Sequence, residues 1–345
     1  MKAAVLEALN QITVKEVPTP QPGKGEVLLK VRSCAVCGSD VRIFHHGNSR
    51  VIPPVIIGHE VAGEVVSVGV GVTNFAVGDR LAIGADVPCG VCDMCKQGLG
   101  NNCAVNYAIG YQFQGGFAEY ILLNETTVNF GPVHKIPSGL SFDAAALAEP
   151  LACVINGFEV LRVTPGCSLL IIGAGPIGCM MIELARHFGV TNVMIAEIGA
   201  ARLETARQFG ADAYICSKDE NMVERARELT GGKGPDRVIT PCGSVDAQEQ
   251  AIEVVAQRGW VNLFGGLAKG TRNLNVPSNT IHYKECVVTG SHGSTPRQHK
   301  MALDFIASGY VKTERYITHH FSLDEIAQAI SANENLSGLK VMVNP

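Results

Sequence analysis

Over the first 150 residues the apolar positions fall in short alternating runs broken by Gly and Pro. Segments 26–31, 61–68 and 79–83 have the length and period of half-buried strands, so this part is predicted to be mostly β. After Pro165-Gly166 the period changes. An apolar run over 168–172 leads into a segment where Ile177, Met181, Leu184 and Phe188 recur at helical spacing. Strand-like and helix-like stretches then alternate: 192–196 with 201–209, then 212–215 with about 220–229, followed by strands at 237–240, 260–264 and 286–289. Such alternation builds a parallel sheet with helices packed on it, the α/β class. Further on, Thr295-Pro296-Arg297-Gln298 and Ser322-Leu323-Asp324-Glu325 each set a hydroxyl cap three residues before Gln or Glu, which predicts two late helices.

Size and charge narrow the picture. Hydrophobic cores stop growing near ~250–300 residues, so a chain of 345 is expected to hold two domains. With 46% hydrophobic and 17% charged residues it has the apolar surface to fold throughout. A net charge of −4 without a Lys/Arg cluster offers no field for nucleic acid or an anionic membrane, and neither is expected as a partner. The segment Met1-Lys2-Ala3-Ala4-Val5-Leu6-Glu7 lacks the apolar core of a signal peptide, and no run of ~18 apolar residues occurs, so a cytosolic (cytoplasmic) protein is expected. In that compartment the twelve cysteines serve as metal ligands or small core residues, not as disulfides.

Cys89, Cys92, Cys95 and Cys103 fall within fifteen residues on a stretch punctuated by Pro88, Gly90, Gly98 and Gly100. Four thiolates so spaced can close a tetrahedral shell around Zn²⁺ with no position left for substrate, which marks a structural site. A second set is dispersed: Cys37 in Cys37-Gly38-Ser39-Asp40, His59 and Glu60 in Gly58-His59-Glu60, and Glu149 before Pro150. A catalytic zinc takes ligands of these kinds while keeping a position open. Each residue alone also fits an ordinary role, Cys37 as a core thiol, His59 as a satisfied histidine, Glu60 as a surface charge, and spacing does not join them.

Gly173-Ala174-Gly175-Pro176-Ile177-Gly178 directly follows the strand at 168–172 and opens a helix. Glycines there permit a tight turn and let the backbone approach a pyrophosphate at the positive helix end. Glu197 ends the next strand, where a carboxylate accepts hydrogen bonds from the adenosine ribose and repels a 2′-phosphate, favouring NAD over NADP. Arg202 argues the other way, because an Arg beside that ribose accommodates a phosphate. Phe264 and Gly265, at the close of the strand at 260–264, are assigned to the same cofactor site.

Taken in order, Cys37-Gly-Ser-Asp, Gly58-His59-Glu60-Val-Ala-Gly63, the four-cysteine lobe, Gly115-Gly116-Phe117-Ala118-Glu119-Tyr120, Glu149-Pro150-Leu151 and the turn at 173–178 resemble the zinc-dependent medium-chain dehydrogenases, over essentially the whole chain. Glu149 stands where simple alcohol dehydrogenases have a second Cys, so the sequence is more similar to the sorbitol, polyol and threonine branch. The resemblance implies a GroES-like β-barrel catalytic domain over 1–152 with a zinc lobe at about 86–104, a Rossmann doubly wound parallel sheet over 153–290, and a return to the catalytic domain over 291–345. It also implies two zinc ions per chain. The structural one would sit on Cys89, Cys92, Cys95 and Cys103; the catalytic one on Cys37, His59 and Glu60, with Glu149 an interchangeable ligand or the partner of the zinc-bound water. Arg202 has a counterpart in NAD-linked relatives. A homodimer or homotetramer, paired near Cys286, follows from the same likeness.

The implied reaction is the NAD-linked oxidation of a secondary hydroxyl of a polyol or sugar alcohol to the ketone, with zinc as Lewis acid. By resemblance Ser39 receives the hydroxyl proton and passes it toward the nicotinamide ribose; read alone it is a turn or N-cap serine. Relatives carry a His three residues after that Ser, whereas this chain has Arg42, which cannot shuttle a proton. His45, His46 or ordered water remain as exits, and the two histidines beside Gly47 also read as surface residues. The Arg-Tyr pair of sorbitol dehydrogenases is replaced by Gly290-Ser291-His292-Gly293-Ser294, which keeps an amino alcohol such as threonine, or a hexitol phosphate, as alternatives. His292 either lines the pocket or covers the cofactor. A non-catalytic nucleotide-binding protein would have lost the set Cys37, Ser39, His59, Glu60 and Glu149, and a zinc-binding adaptor leaves the strand–turn–helix unit unexplained.

Overall fold

Val27–Val36, aliphatic and buried over most of its length, is the strand on which the first part of the chain is organised. It pairs antiparallel with Glu60–Val68, Tyr120–Leu123 and Lys340–Asn344 inside a seven-stranded sheet. The register sets Ala35 opposite Glu60 and Val36 opposite Val341. Cys37 follows at once, so residues from three distant stretches meet at one end of the sheet. The structure, a computed structural model, describes residues 1–335 and 338–345. These form two units, Met1–Cys153 with Gly293–Pro345, and Val154–His292.

The first unit is less purely β than the alternation predicts. Gly38–His46 is a helix, capped by Cys37, whose N–H is bonded by the Asp40 carboxylate at 2.9 Å. Its pattern hides it because only Asp40 and Ile43 are buried. Phe142–Ala146, capped by the Ser141 hydroxyl, and Ala148–Val160 are helices as well. Thr295 caps Pro296–Ala307 with the reciprocal box its sequence announces. Ser322 caps a short 3₁₀ turn, Leu323–Glu325, that leads into the helix Ile326–Glu334.

In the second unit six parallel strands lie in the order Ala213–Cys216, Asn192–Glu197, Ser168–Ile172, Arg237–Ile239, Trp260–Leu263, Val287–Gly290. Numbered along the chain this is 3-2-1-4-5-6, the doubly wound arrangement of a dinucleotide-binding sheet. Strand residues such as Leu170, Met194, Val238 and Val261 are sealed by Ala226, Ala251 and Ile252 of the covering helices. Among the described residues no helix is long and apolar enough to cross a membrane.

Candidate active site and metal centres

Cys89, Cys92, Cys95 and Cys103 point their sulfurs at one another, all within 4.8 Å. Neighbouring sulfurs stand 3.4 Å (Cys92 to Cys95) and 3.9 Å (Cys89 to Cys95, Cys92 to Cys103) apart, and all four are free thiols. Thiolates 2.3 Å from a tetrahedral zinc lie about 3.8 Å apart, so the spacing matches the ion. The electrostatics match as well. Backbone N–H groups of Ala104 and Cys95 bring the Cys92 thiol down to about 6, while burial and its sulfur neighbours push Cys95 up to about 12. Four thiols so crowded ionise together only around a cation.

The dispersed set also converges. Donor atoms of Cys37, His59 and Glu60 lie within 4.8 Å of one another. His59 sits after Gly58, whose φ of +94° and lack of room, with an added Cβ 2.9 Å from Cys34 Sγ and 3.0 Å from the Phe117 ring, demand glycine. Behind the imidazole, the buried Asp40 Oδ1 is 3.2 Å from Nδ1. A carboxylate there orients the ring so that Nε2 faces the donor group. Burial works to lower the His59 pKa, yet Asp40 and Cys37 raise it well above the ordinary value, a sign that the cluster calls for positive charge. Ser39 Oγ is 3.3 Å from His59 Nε2.

Glu60 is fully buried, and both its oxygens lie 2.5 Å from Lys340 Nζ, itself 3% exposed. Burial lowers the Lys340 pKa, but the Glu60 charge outweighs it and keeps the ammonium charged. Glu149 stands outside the group of three. Burial lifts its carboxyl to about 7, with the Glu60 and Asp86 charges adding to the rise and His59 and Lys340 opposing it. The Cys153 thiol, one helical turn along, donates to Glu149 Oε1 at 3.7 Å.

In the second unit the turn at 173–178 leads into the helix Pro176–His187, whose N-cap Gly175 supplies no side-chain cap. Gly178 has no room for a side chain, because an added Cβ would lie 1.9 Å from the Gly173 carbonyl oxygen. Glu197 Oε2 accepts from Ala174 N at 2.8 Å, and Oε1 from Ile198 N and Gly199 N at 2.9 and 3.0 Å. The carboxylate thus ties the glycine-rich turn to the start of the helix Ala200–Ala206, which carries Arg202. Gly265 N bonds the Thr240 carbonyl at 2.8 Å, and the Phe264 ring packs at Gly157.

Residues 23–137 match the family described as alcohol dehydrogenase GroES-like domain, and residues 176–308 match the zinc-binding dehydrogenase family. The chain belongs to the zinc-binding dehydrogenases. It is 32% identical to a sorbitol dehydrogenase of Bacillus subtilis over 100% of this chain and 97% of that protein. It is 34% identical to an L-threonine 3-dehydrogenase of Pyrococcus abyssi over 89% of this chain and 87% of that one. Its fold matches a zinc-binding dehydrogenase of Sinorhizobium meliloti, solved bound to NADP, with a TM-score of 0.92 and 33% identity, covering 100% of this chain and 99% of that chain.

The remaining candidate residues each have surroundings of their own. His45 is engaged by Asn10 at 2.5 Å and Glu334 at 3.2 Å, and Arg42 and His46 are exposed. The His292 carbonyl accepts from Asn156 Nδ2 at 3.1 Å. Gly293 (φ +56°) and Ser294 sit against the buried Asp86, which accepts Ser294 N at 2.9 Å. Sequence reasoning misses Asp86 and Lys340, and it leaves Asp40 without a role. For Asp40 a signal exists, an acid three residues after the cap at Cys37. For Lys340 the signal is a lone charge opening the apolar run Val341-Met342-Val343.

Proposed function

We propose that this dehydrogenase oxidises a secondary hydroxyl of a polyol or sugar alcohol to the ketone, reversibly, with NAD as hydride acceptor. The observation that carries the reading is the grouping of Cys37, His59 and Glu60 with the Ser39 hydroxyl 3.3 Å from His59 Nε2. The three donors would hold a catalytic zinc, with Glu149 as an exchangeable ligand or as the carboxyl that bonds a water there; a second zinc would fill the four-cysteine lobe. A zinc ion in the open site supplies Lewis acidity that lowers the pKa of a bound hydroxyl. Ser39 Oγ takes the hydroxyl proton as the ketone forms. Asp40 fixes the His59 ring, and Lys340 holds Glu60 in place.

In the second unit the Glu197 carboxylate, at the strand end beside the glycine-rich turn, disfavours a ribose 2′-phosphate, which supports NAD over NADP. The Sinorhizobium neighbour was solved with NADP, so the preference is tested directly. Turnover with NAD and NADP is compared in the wild type and in Glu197→Ala; a wild-type preference for NADP sinks this part. The whole reading is tested by metal analysis, expected at two zinc per chain, with NADH formation on a panel of polyols, sugar-alcohol phosphates and amino alcohols. One zinc per chain and no turnover on any of them would instead fit a nucleotide-binding protein without chemistry.

A further inference from the structure

Arg50 lies in the loop after the helix Gly38–His46, and its side chain is held in place. Nη2 donates to the Asn106 carbonyl and, at 3.4 Å, to Gln112 Oε1; Gln112 Oε1 also accepts Ala108 N at 3.1 Å. Its Cζ stacks 5.1 Å from the centroid of the Tyr111 ring. Nε is buried without an acceptor. Every partner is neutral: among the described residues no carboxylate reaches Arg50, in contrast to Arg32, Arg186, Arg225, Arg272 and Lys340, each of which pairs with one. A guanidinium costs free energy to immobilise and to strip of water, and here no countercharge offsets that cost.

The Tyr111 ring places this cation. Its centroid is 5.8 Å from that of His59, and the Ser39 hydroxyl is among the groups acting on its phenol. A single aromatic ring therefore separates the guanidinium from the metal donors and from the serine proposed to take the proton. The acids beside the donors, Asp40 and Asp86, repel an anion, and Lys340 is spent on Glu60. Arg50, with no carboxylate partner among the described residues, is available to one.

We propose that Arg50 seats an oxyanion carried by the substrate, a phosphate monoester or a carboxylate, on the same molecule as the hydroxyl that is oxidised. The proposal rests on the dehydrogenase reading above and narrows it from neutral polyols to anionic ones. A permanently charged guanidinium held over an aromatic face is suited to charge-assisted hydrogen bonds with such an oxyanion. An ester several carbons from the reacting hydroxyl spans one ring more readily than does a carboxylate two carbons away.

The test uses the zinc-loaded full chain and matched pairs: sorbitol with sorbitol 6-phosphate, arabitol with arabitol 5-phosphate, and 1-amino-2-propanol with L-threonine. The anionic member is expected to have the higher kcat/KM in at least one pair. Arg50→Ala and Arg50→Gln should lower that preference roughly 10- to 100-fold, mainly through KM, the value of one charge-assisted contact. Arg50→Lys should restore part of it. A structural role alone would shift thermal stability and leave the preference unchanged. Which pair responds distinguishes phosphate from carboxylate. A preference that is absent in the wild type, or the same in wild type and both variants, overturns the proposal. If no compound of either kind is oxidised, the dehydrogenase reading falls separately. Calorimetric binding of sorbitol 6-phosphate to wild type and Arg50→Gln then decides, and equal or absent binding overturns the anion site.

Discussion

The two candidate metal centres are built in opposite ways. Cys89, Cys92, Cys95 and Cys103 come from one lobe, and backbone N–H groups of that lobe tune their sulfurs. Cys37, His59 and Glu60 are set by the register of a long sheet, and the partner of Glu60, Lys340, arrives 280 residues later. A local centre depends on its own loop. A distributed one depends on everything that fixes the strand ends, so remote residues such as Lys340 should matter to it and not to the lobe.

Breaking the lobe should cost most. Cys103→Ser removes one thiolate of a closed shell and is expected to lower stability by ~4 kcal/mol or more, because metal binding there is folding energy. Zinc should fall from two to one per chain, checked by metal analysis with thermal unfolding; unchanged stability would mean that the lobe is not a metal site. For the distributed centre, Lys340→Met leaves the buried Glu60 carboxylate uncompensated in the zinc-free protein, at ~3–5 kcal/mol. The double variant Lys340→Met/Glu60→Gln should recover much of this, and additive losses in denaturant unfolding would refute the coupling. Ser39→Ala should lower kcat roughly 100-fold with zinc content and stability unchanged. Full activity in that variant removes Ser39 from the proton path.

The smallest effect is a pH slope. His299, on the helix Pro296–Ala307, is fully buried, stacks on His134 at 5.2 Å, and neither ring nitrogen has a partner. Burial, with His134, lowers its pKa to about 3. A folded-state value below that of the free imidazole means that the unfolded chain binds the proton first. Stability is therefore full above about pH 6.5 and falls by roughly 1.4 kcal/mol per unit below it. His299→Phe should flatten that slope in unfolding curves between pH 5 and 7; an unaltered slope would assign it to other groups.

The same contrast explains what the sequence discloses. The parallel sheet was legible because each strand and helix carries its own period: 168–172 is read to the residue as Ser168–Ile172, and Thr295 caps where its neighbours say it should. The four cysteines were legible because their chemistry is contained in one short segment. The helix Gly38–His46 was not, since it buries only Asp40 and Ile43. Lys340, Asp86 and Arg50 were not either: a buried lysine facing a glutamate, or a guanidinium stacked on Tyr111, acquires its role only when segments far apart in sequence are packed together. His45 shows the converse, for proximity to Ser39 along the chain suggested a proton exit, while the fold turns it toward Asn10 and Glu334.

The strand Lys340–Asn344 has a consequence for synthesis. The first unit is interrupted: residues 1–153 are made, then the whole of Val154–His292, and only afterwards the strand that lies against Val27–Val36. At ~5–20 residues per second, Glu60 waits on the order of tens of seconds for its ammonium partner. During that interval the nascent sheet lacks its pairing partner along Cys34–Val36 and leaves an unneutralised carboxylate beside Cys37 and His59. The intervening sheet, continuous in sequence, can close in the meantime. The four-cysteine lobe can thus form before the proposed catalytic site is assembled.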